Sequence, residues 1–211
     1  MTTYAFPSTL TTENPISDGG NWGNAASGTW TNPVTTTAGT PGSAQGPGSS
    51  GTNDAIALLQ TGSWGRAQDV SLTASVSSPT GNPELEPNLH GTQNATQTFG
   101  YEGDTIWNTN KWDCVIARWD GNQGNVTVIG SGSFLTSPAD GDVIRHFDDG
   151  SGNMTMKVNG TTVCTSTTDT TYTTGRPWIG FDVGAGSGVV CKGYTATDGV
   201  TPTGNIMWVK A

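Results

Sequence analysis

The chain has 211 residues and a formal net charge of −9, from 17 acidic against 8 basic residues. Its 31 glycines and many Thr, Ser and Asn, with only 12% charged residues, suit short strands joined by turns and disfavour long helices. The basic residues Arg66, Lys111, Arg118, Arg145, Lys157, Arg176, Lys192 and Lys210 are scattered and form no cationic cluster, which argues against nucleic acid and anionic lipid as partners.

Residues 1–20, including FPSTLTTENPISDGG, lack periodicity and read as an N-terminal arm, lying on a neighbour or across its own sandwich. Removing this arm is expected to spare a single sandwich domain over residues 21–211. The first residues carry neither the basic nor the apolar segment of a secretory leader. No stretch reaches the length of a membrane-spanning helix, so no membrane insertion is expected. Synthesis in a cytosol without a signal peptide follows as the expectation.

Trp22 and Trp30 begin the sandwich, and the Gly/Pro/Ser/Thr-rich stretch Thr31–Asp54 is too long for an ordinary turn. AIALLQTG reads as a short apolar strand. In SWGRAQDVSLTASVSS, Gln68, Val70, Leu72, Ala74 and Val76 share a buried face, while Ala67, Asp69, Ser71, Thr73 and Ser75 share the other. TGNPELEPNLHGTQNAT reads as a proline-punctuated connection. Two strands follow in TQTFGYEGDTIW and KWDCVIARWDGNQGNVTVIGSG, turned by DGNQGN. In the second, Trp112, Cys114, Ile116 and Arg118 face one way and Asp113, Val115, Ala117 and Trp119 the other, the pattern of a strand buried on both faces.

MTMKVNGTTVCTSTTD encodes a hairpin. Asn159-Gly160 is the dipeptide that a type I′ turn prefers, because both central residues need positive φ. Counting outward pairs Val158 with Thr161, Met156 with Val163 and Met154 with Thr165, with Lys157, Thr155, Thr162 and Cys164 on the opposite face. Strands in RPWIGFDVGAGSGVVCKGYTATD and GNIMWVKA close the chain. Turn signals recur at roughly 8–12-residue spacing, giving about ten strands or more and an all-β, antiparallel two-sheet sandwich. Cys114, Cys164 and Cys191 are odd in number and lack metal-site spacing. They read as small buried or half-buried thiols, with at most one pair bridged.

The order of motifs GYE (Gly100–Glu102), VIARWDGNQGN (Val115–Asn125), DGDVIRHF (Asp140–Phe147), MTMKVNG (Met154–Gly160), TDTTYTTGRPWIGF (Thr168–Phe181) and KGYTATD (Lys192–Asp198) resembles the concanavalin A-like, laminin G-like jelly rolls of bacterial and phage proteins. The match spans roughly residues 55–198. It implies two antiparallel sheets and often a calcium ion at the rim, with no cofactor required. This fold hosts lectins, glucanases, adhesins and structural modules alike.

Glucanases of this kind carry a third carboxylate four or five residues after the first. Here Glu84 and Glu86 are followed at those positions by Asn88 and Leu89, and Pro83 and Pro87 place the pair in a loop or edge strand. His90 and His146 have no nucleophile at an interpretable spacing. Asp140, Asp142, Asp148, Asp149 and Asn153 sit in Gly-rich turns and read as turn formers before calcium ligands. No enzyme is expected. Flat rings stacking on sugar faces, with polar groups fixing hydroxyls, make Tyr101, Glu102, Trp107, Trp112, Arg118 and Trp178 the candidate glycan-binding set. Trp119 and Tyr172 stand beside them, and in a chain with few Leu and Phe about two-thirds of these aromatic rings belong to the core. The expected function is a non-enzymatic virion-surface protein, such as a bacteriophage capsid decoration or a head- or tail-fibre component. Its expected partners are other virion chains, copies of itself and cell-surface glycans. A bacterial carbohydrate-binding or adhesin module is the alternative, and a polysaccharide-degrading enzyme comes third.

Overall fold

The computed structural model describes residues 1–7, 12–24, 33–35, 43–46, 54–94, 97–122, 125–182 and 186–199. Trp30, most of Thr31–Asp54 and the expected strand in GNIMWVKA lie outside the described residues. The strands are β1 (Thr3–Ala5), β2 (Trp22–Asn24), β3 (Val34–Thr35), β4 (Ala44–Gln45), β5 (Asp54–Leu59), β6 (Gln68–Gly81), β7 (Glu84–Gln93), β8 (Thr98–Asn108), β9 (Lys111–Gly121), β10 (Val126–Phe134), β11 (Val143–Asp148), β12 (Met154–Val158), β13 (Thr161–Thr165), β14 (Arg176–Asp182) and β15 (Gly186–Asp198). They form an eight-stranded sheet, β13-β12-β11-β6-β15-β4-β3 with β1 on β15, and a seven-stranded sheet, β10-β9-β8-β7-β14-β5-β2. The chain crosses between sheets at β1–β2–β3, at β4–β5–β6–β7, at β10–β11 and at β13–β14–β15, which makes the two sheets a jelly-roll sandwich.

Period-2 alternation sets the core. Val70, Leu72 and Ala74 of β6 are buried as their spacing demands, facing Leu85 and Leu89 of β7, Tyr101 of β8 and Ile116 of β9. β9 is covered on its second face at one end only: Ala117 and Trp119 are buried while Val115 is half-exposed. The three cysteines are free and buried.

Asn159 (φ 51°) and Gly160 (φ 81°) form the expected turn between β12 and β13, and Val158 pairs with Thr161. The pairing beyond it departs from the simple count. A bulge at Val163 leaves Met156 opposite Cys164 and Thr155 opposite Thr165, so Cys164 turns into the core and Val163 is only partly buried.

β7 is the larger correction. The segment expected to be a loop or edge is a central strand between β8 and β14. Pro87 has no N–H for the ladder, and side chains make up the deficit. The Gly103 N–H on β8 donates to Asn88 Oδ1 (2.8 Å), and the Pro87 carbonyl accepts from Nδ1–H of His146 (2.8 Å), which reaches across from β11 in the opposite sheet. Gly103 makes room for this: a Cβ there would lie 2.5 Å from His146 Nδ1 and 2.6 Å from the Pro87 carbonyl oxygen.

The described residues before Gly20, 1–7 and 12–19, include two that are in the core of the chain's own sandwich, Tyr4 and Ile16. Thr3–Ala5 pairs with Thr195–Thr197 of β15, and Ile16 is fully buried. Tyr4 donates from its hydroxyl to Asp18 Oδ2 (2.6 Å), accepts from Trp22 Nε1 (2.8 Å) and packs edge-on to Trp22. Truncation at Gly20 would therefore remove the core contacts of Tyr4 and Ile16 and the β1–β15 pairing. Tyr4→Ala alone is expected to destabilise the protein by about 3 kcal/mol in urea unfolding. An unchanged midpoint would show that β1 contributes nothing to the sandwich.

Candidate functional site

Among the described residues the seven-stranded sheet is interrupted on both sides of β7 at one position. Pairing with β8 skips between Leu89 and Thr92, and pairing with β14 skips between Arg176 and Trp178. The cause is His90, a non-glycine residue with φ +55° in the middle of a strand. Such a conformation persists only where surrounding contacts determine it, and here they do. The His90 N–H donates to Gln68 Oε1 (2.9 Å), and Gln68 Nε2 donates to the carbonyls of Gly65 (3.1 Å) and Gly175 (3.0 Å). His90 Nε2 meets Asp148 Oδ2 at 3.0 Å, and its ring stands edge-on to Tyr101. Asp148 Oδ1 takes the N–H groups of Gly150 (2.8 Å) and Gly152 (3.1 Å). Of these partners the side chains of Gln68, Tyr101 and Asp148 are buried.

The bulge opens a cleft of about 450 Å³ at this end of the sheet. β7 supplies Gly91, Thr92 and Gln93, with Asn94 just beyond; Leu58 and Gln60 come from the end of β5, and Gly175 and Arg176 from the start of β14. The lining is one leucine, two glycines, three amides, a threonine hydroxyl and one guanidinium. Gln93 Nε2 donates to Thr98 Oγ1 (3.3 Å), and Asn94 exchanges hydrogen bonds with Gln97. Arg176 Nη1 donates to Gln60 Oε1 across the cleft. Such a lining offers the donors and acceptors that hydroxyl-rich ligands need, without a nucleophile or a carboxylate pair.

Of the candidate glycan-binding residues, the structure brings only Trp178 near this cleft, and it lies behind the lining. Trp178 is fully buried, its Nε1–H on the Leu89 carbonyl (3.1 Å), in a second apolar cluster with Ile56, Leu58 and Trp119. Tyr101 and Arg118 meet each other through Asp169. The Tyr101 hydroxyl donates to Asp169 Oδ1 (2.7 Å) and accepts the Tyr172 N–H, while Arg118 bonds Asp169 (2.6 Å) and Asp120 (2.9 Å). Burial alone would raise Asp169, but the Thr171 N–H, Tyr101 and Arg118 hold it down at about 2. Tyr101 is fully buried, so its ring offers no face to a sugar. Trp112 is also fully buried, with its indole N–H on Asp142 Oδ2 (2.7 Å), and Trp107 packs on the core beside it at the opposite end of the strands. Glu102 is half-buried on the sheet face opposite Tyr101. Four of the six candidate rings, Tyr101, Trp112, Trp119 and Trp178, are thus core.

The acidic turns are engaged by protein donors. Asp140 takes Lys192 Nζ and Ser75, Asp142 takes Trp112, the Ala139 N–H and Asn159, and Asp149 takes the Ser151 N–H and Asn153. Among the described residues no three of His, Cys, Asp and Glu are grouped to hold a metal. Glu84 is half-buried and Glu86 buried, the latter accepting from Asn88 Nδ2 (3.2 Å).

No protein-family model and no curated protein sequence matches the chain. Solved structures do. The chain is similar to a protein of unknown function with a galectin-like fold from Bacillus subtilis (12% identity, 92% of this chain and 94% of that one, TM-score 0.58). It is also similar to the potassium-bound carbohydrate recognition domain of Emp46p (12%, 94% and 98%, 0.56) and to the binding domain of botulinum neurotoxin serotype D (11%, 91% and 48%, 0.50). The fold is that of the concanavalin A-like, lectin-like jelly rolls.

Proposed function

We propose that this protein is a non-catalytic glycan-binding jelly roll and that the cleft at the His90 bulge is its binding site. The observation that carries the proposal is the bulge itself, a left-handed residue held by buried hydrogen bonds beside a cleft in the seven-stranded sheet. Similarity in fold to a carbohydrate recognition domain supports it. The cleft lining, which has hydrogen-bonding amides but no paired acid and base, supports binding over turnover.

A titration against a panel of glycans tests the reading. A millimolar-or-better ligand is expected, and Asn94→Ala or Gln60→Ala should weaken it about fivefold, the loss of one hydrogen bond. A panel without a ligand, or a ligand indifferent to both substitutions, would refute the assignment.

A virion-surface role is the second reading, with the chain made in a host cytosol and attached to other virion chains. The observation favouring it is the apolar edge strand β10, where Val126, Val128 and, just beyond, Leu135 are exposed (41%, 59% and 82%) and would be covered by a neighbouring chain. Sizing and imaging in the native source decide it. Co-migration with a particle at symmetric positions is the expected result, and a free monomer would end this reading in favour of a bacterial adhesin module.

A further inference from the structure

The sign of charge in the cleft is opposite to that of the molecule. The chain carries −9, yet none of the cleft's lining residues is acidic and one is an arginine. Four cations elsewhere are neutralised: Lys111 by Asp113, Arg118 by Asp120 and Asp169, Arg145 by Asp69 and Lys192 by Asp140. Arg176 differs. Among the described residues its hydrogen-bond partner is the neutral amide of Gln60, and it forms no ion pair. A guanidinium has five N–H donors in a planar fork, and this half-buried one lines the cleft with one of them on Gln60.

We infer that the ligand is an acidic glycan whose sugar carboxylate docks on Arg176. Gln60 orients the guanidinium by holding one N–H, so the remaining edge is pre-set for the bidentate geometry of a carboxylate. Thr92, Gln93 and Asn94 on the opposite wall take the hydroxyls of the same sugar. Repulsion by the remote carboxylates is screened at physiological salt, whereas the contact at Arg176 is short-range and half-buried. This inference rests on the glycan-binding reading of the cleft and adds the chemistry of its ligand.

The experiment uses the full chain on a panel in which each neutral glycan is paired with its carboxylated and its sulfated counterpart. Carboxylated members are expected to bind about tenfold more tightly than neutral ones, with the margin shrinking as salt rises. Arg176→Gln should erase the margin, bringing the affinity for carboxylated members down to that for their neutral counterparts in the same variant, and Arg176→Lys should restore part of it. A thermal unfolding curve for each variant establishes that the fold survives. Equal binding of neutral and carboxylated members, or a margin that persists in Arg176→Gln, would overturn the inference and leave the glycan reading standing. Preference for sulfate over carboxylate would overturn the carboxylate assignment. Binding to no glycan at all would overturn the reading beneath it.

Discussion

Gly175→Ala is expected to abolish glycan binding and to lower stability by about 3 kcal/mol. Gly175 has φ +130°, a conformation that costs any residue with a side chain. A Cβ placed there would lie 2.3 Å from the His90 carbonyl oxygen and 2.4 Å from its carbon, both backbone atoms that no rotamer change can move aside. The Gly175 carbonyl also accepts from Gln68, which holds the His90 N–H and the Gly65 carbonyl with its remaining groups. Displacing Gly175 therefore strains the support of the His90 kink and both walls of the cleft together. Gly141→Ala is the control. It too has positive φ (93°), but nothing lies within 4 Å of its Cβ, and it sits in an exposed turn. It should cost about 1 kcal/mol from backbone strain alone and leave binding intact. If Gly175→Ala bound glycan as the wild type does, the cleft would not be the site.

The same kink shows where the sequence is legible and where it is not. The β6 alternation, the Asn159-Gly160 turn and the crowding of tryptophan into the core are local facts, settled by residues within a few positions, and the structure agrees with them. β7 is different. Two prolines bracket its first half and argue for a loop, and only long-range partners make it a central strand: Asn88 serving the Gly103 N–H, and His146 reaching Pro87 from a strand that begins more than fifty residues later. The Val163 bulge escapes for a similar reason, since the count from a two-residue turn assumes an unbroken ladder. The cleft residues carry no signal of their own. Gln60, Asn94 and Arg176 come from three segments that are not consecutive in the chain, and Gln, Asn and Thr are too common here to stand out. The one clue in the sequence is His90-Gly91 followed by a polar run, a place where a strand could break.

The other large effect is on acid stability, and it belongs to His146. This imidazole is fully buried between the sheets, where burial holds its pKa down at about 4; the hydrogen bond to Pro87 opposes the shift, the nearby His90 adds to it, and Asp148 opposes it again. Its Nδ1–H serves the Pro87 carbonyl, while Nε2 has no hydrogen-bond partner among the described residues, so a second proton would find no acceptor among them. In the unfolded chain the same ring titrates at about 6.5. Between these two values the unfolded state binds a proton that the folded state refuses. Stability is therefore complete above pH ~6.5 and is lost as pH falls toward ~4, by about 3 kcal/mol in all. Asp169 adds its own loss only below pH ~4, because its folded value of about 2 lies under that of a free carboxylate. The two windows can thus be separated by urea unfolding measured from pH 7 to pH 3. His146→Gln keeps an N–H for Pro87 but cannot titrate, so it should lower stability at pH 7 and flatten the slope between pH 6.5 and 4. A slope unchanged in that variant would mean that the acid sensitivity comes from another group. A flattened slope would tie the acid limit of this jelly roll to the side chain that allows a proline in the middle of its seven-stranded sheet.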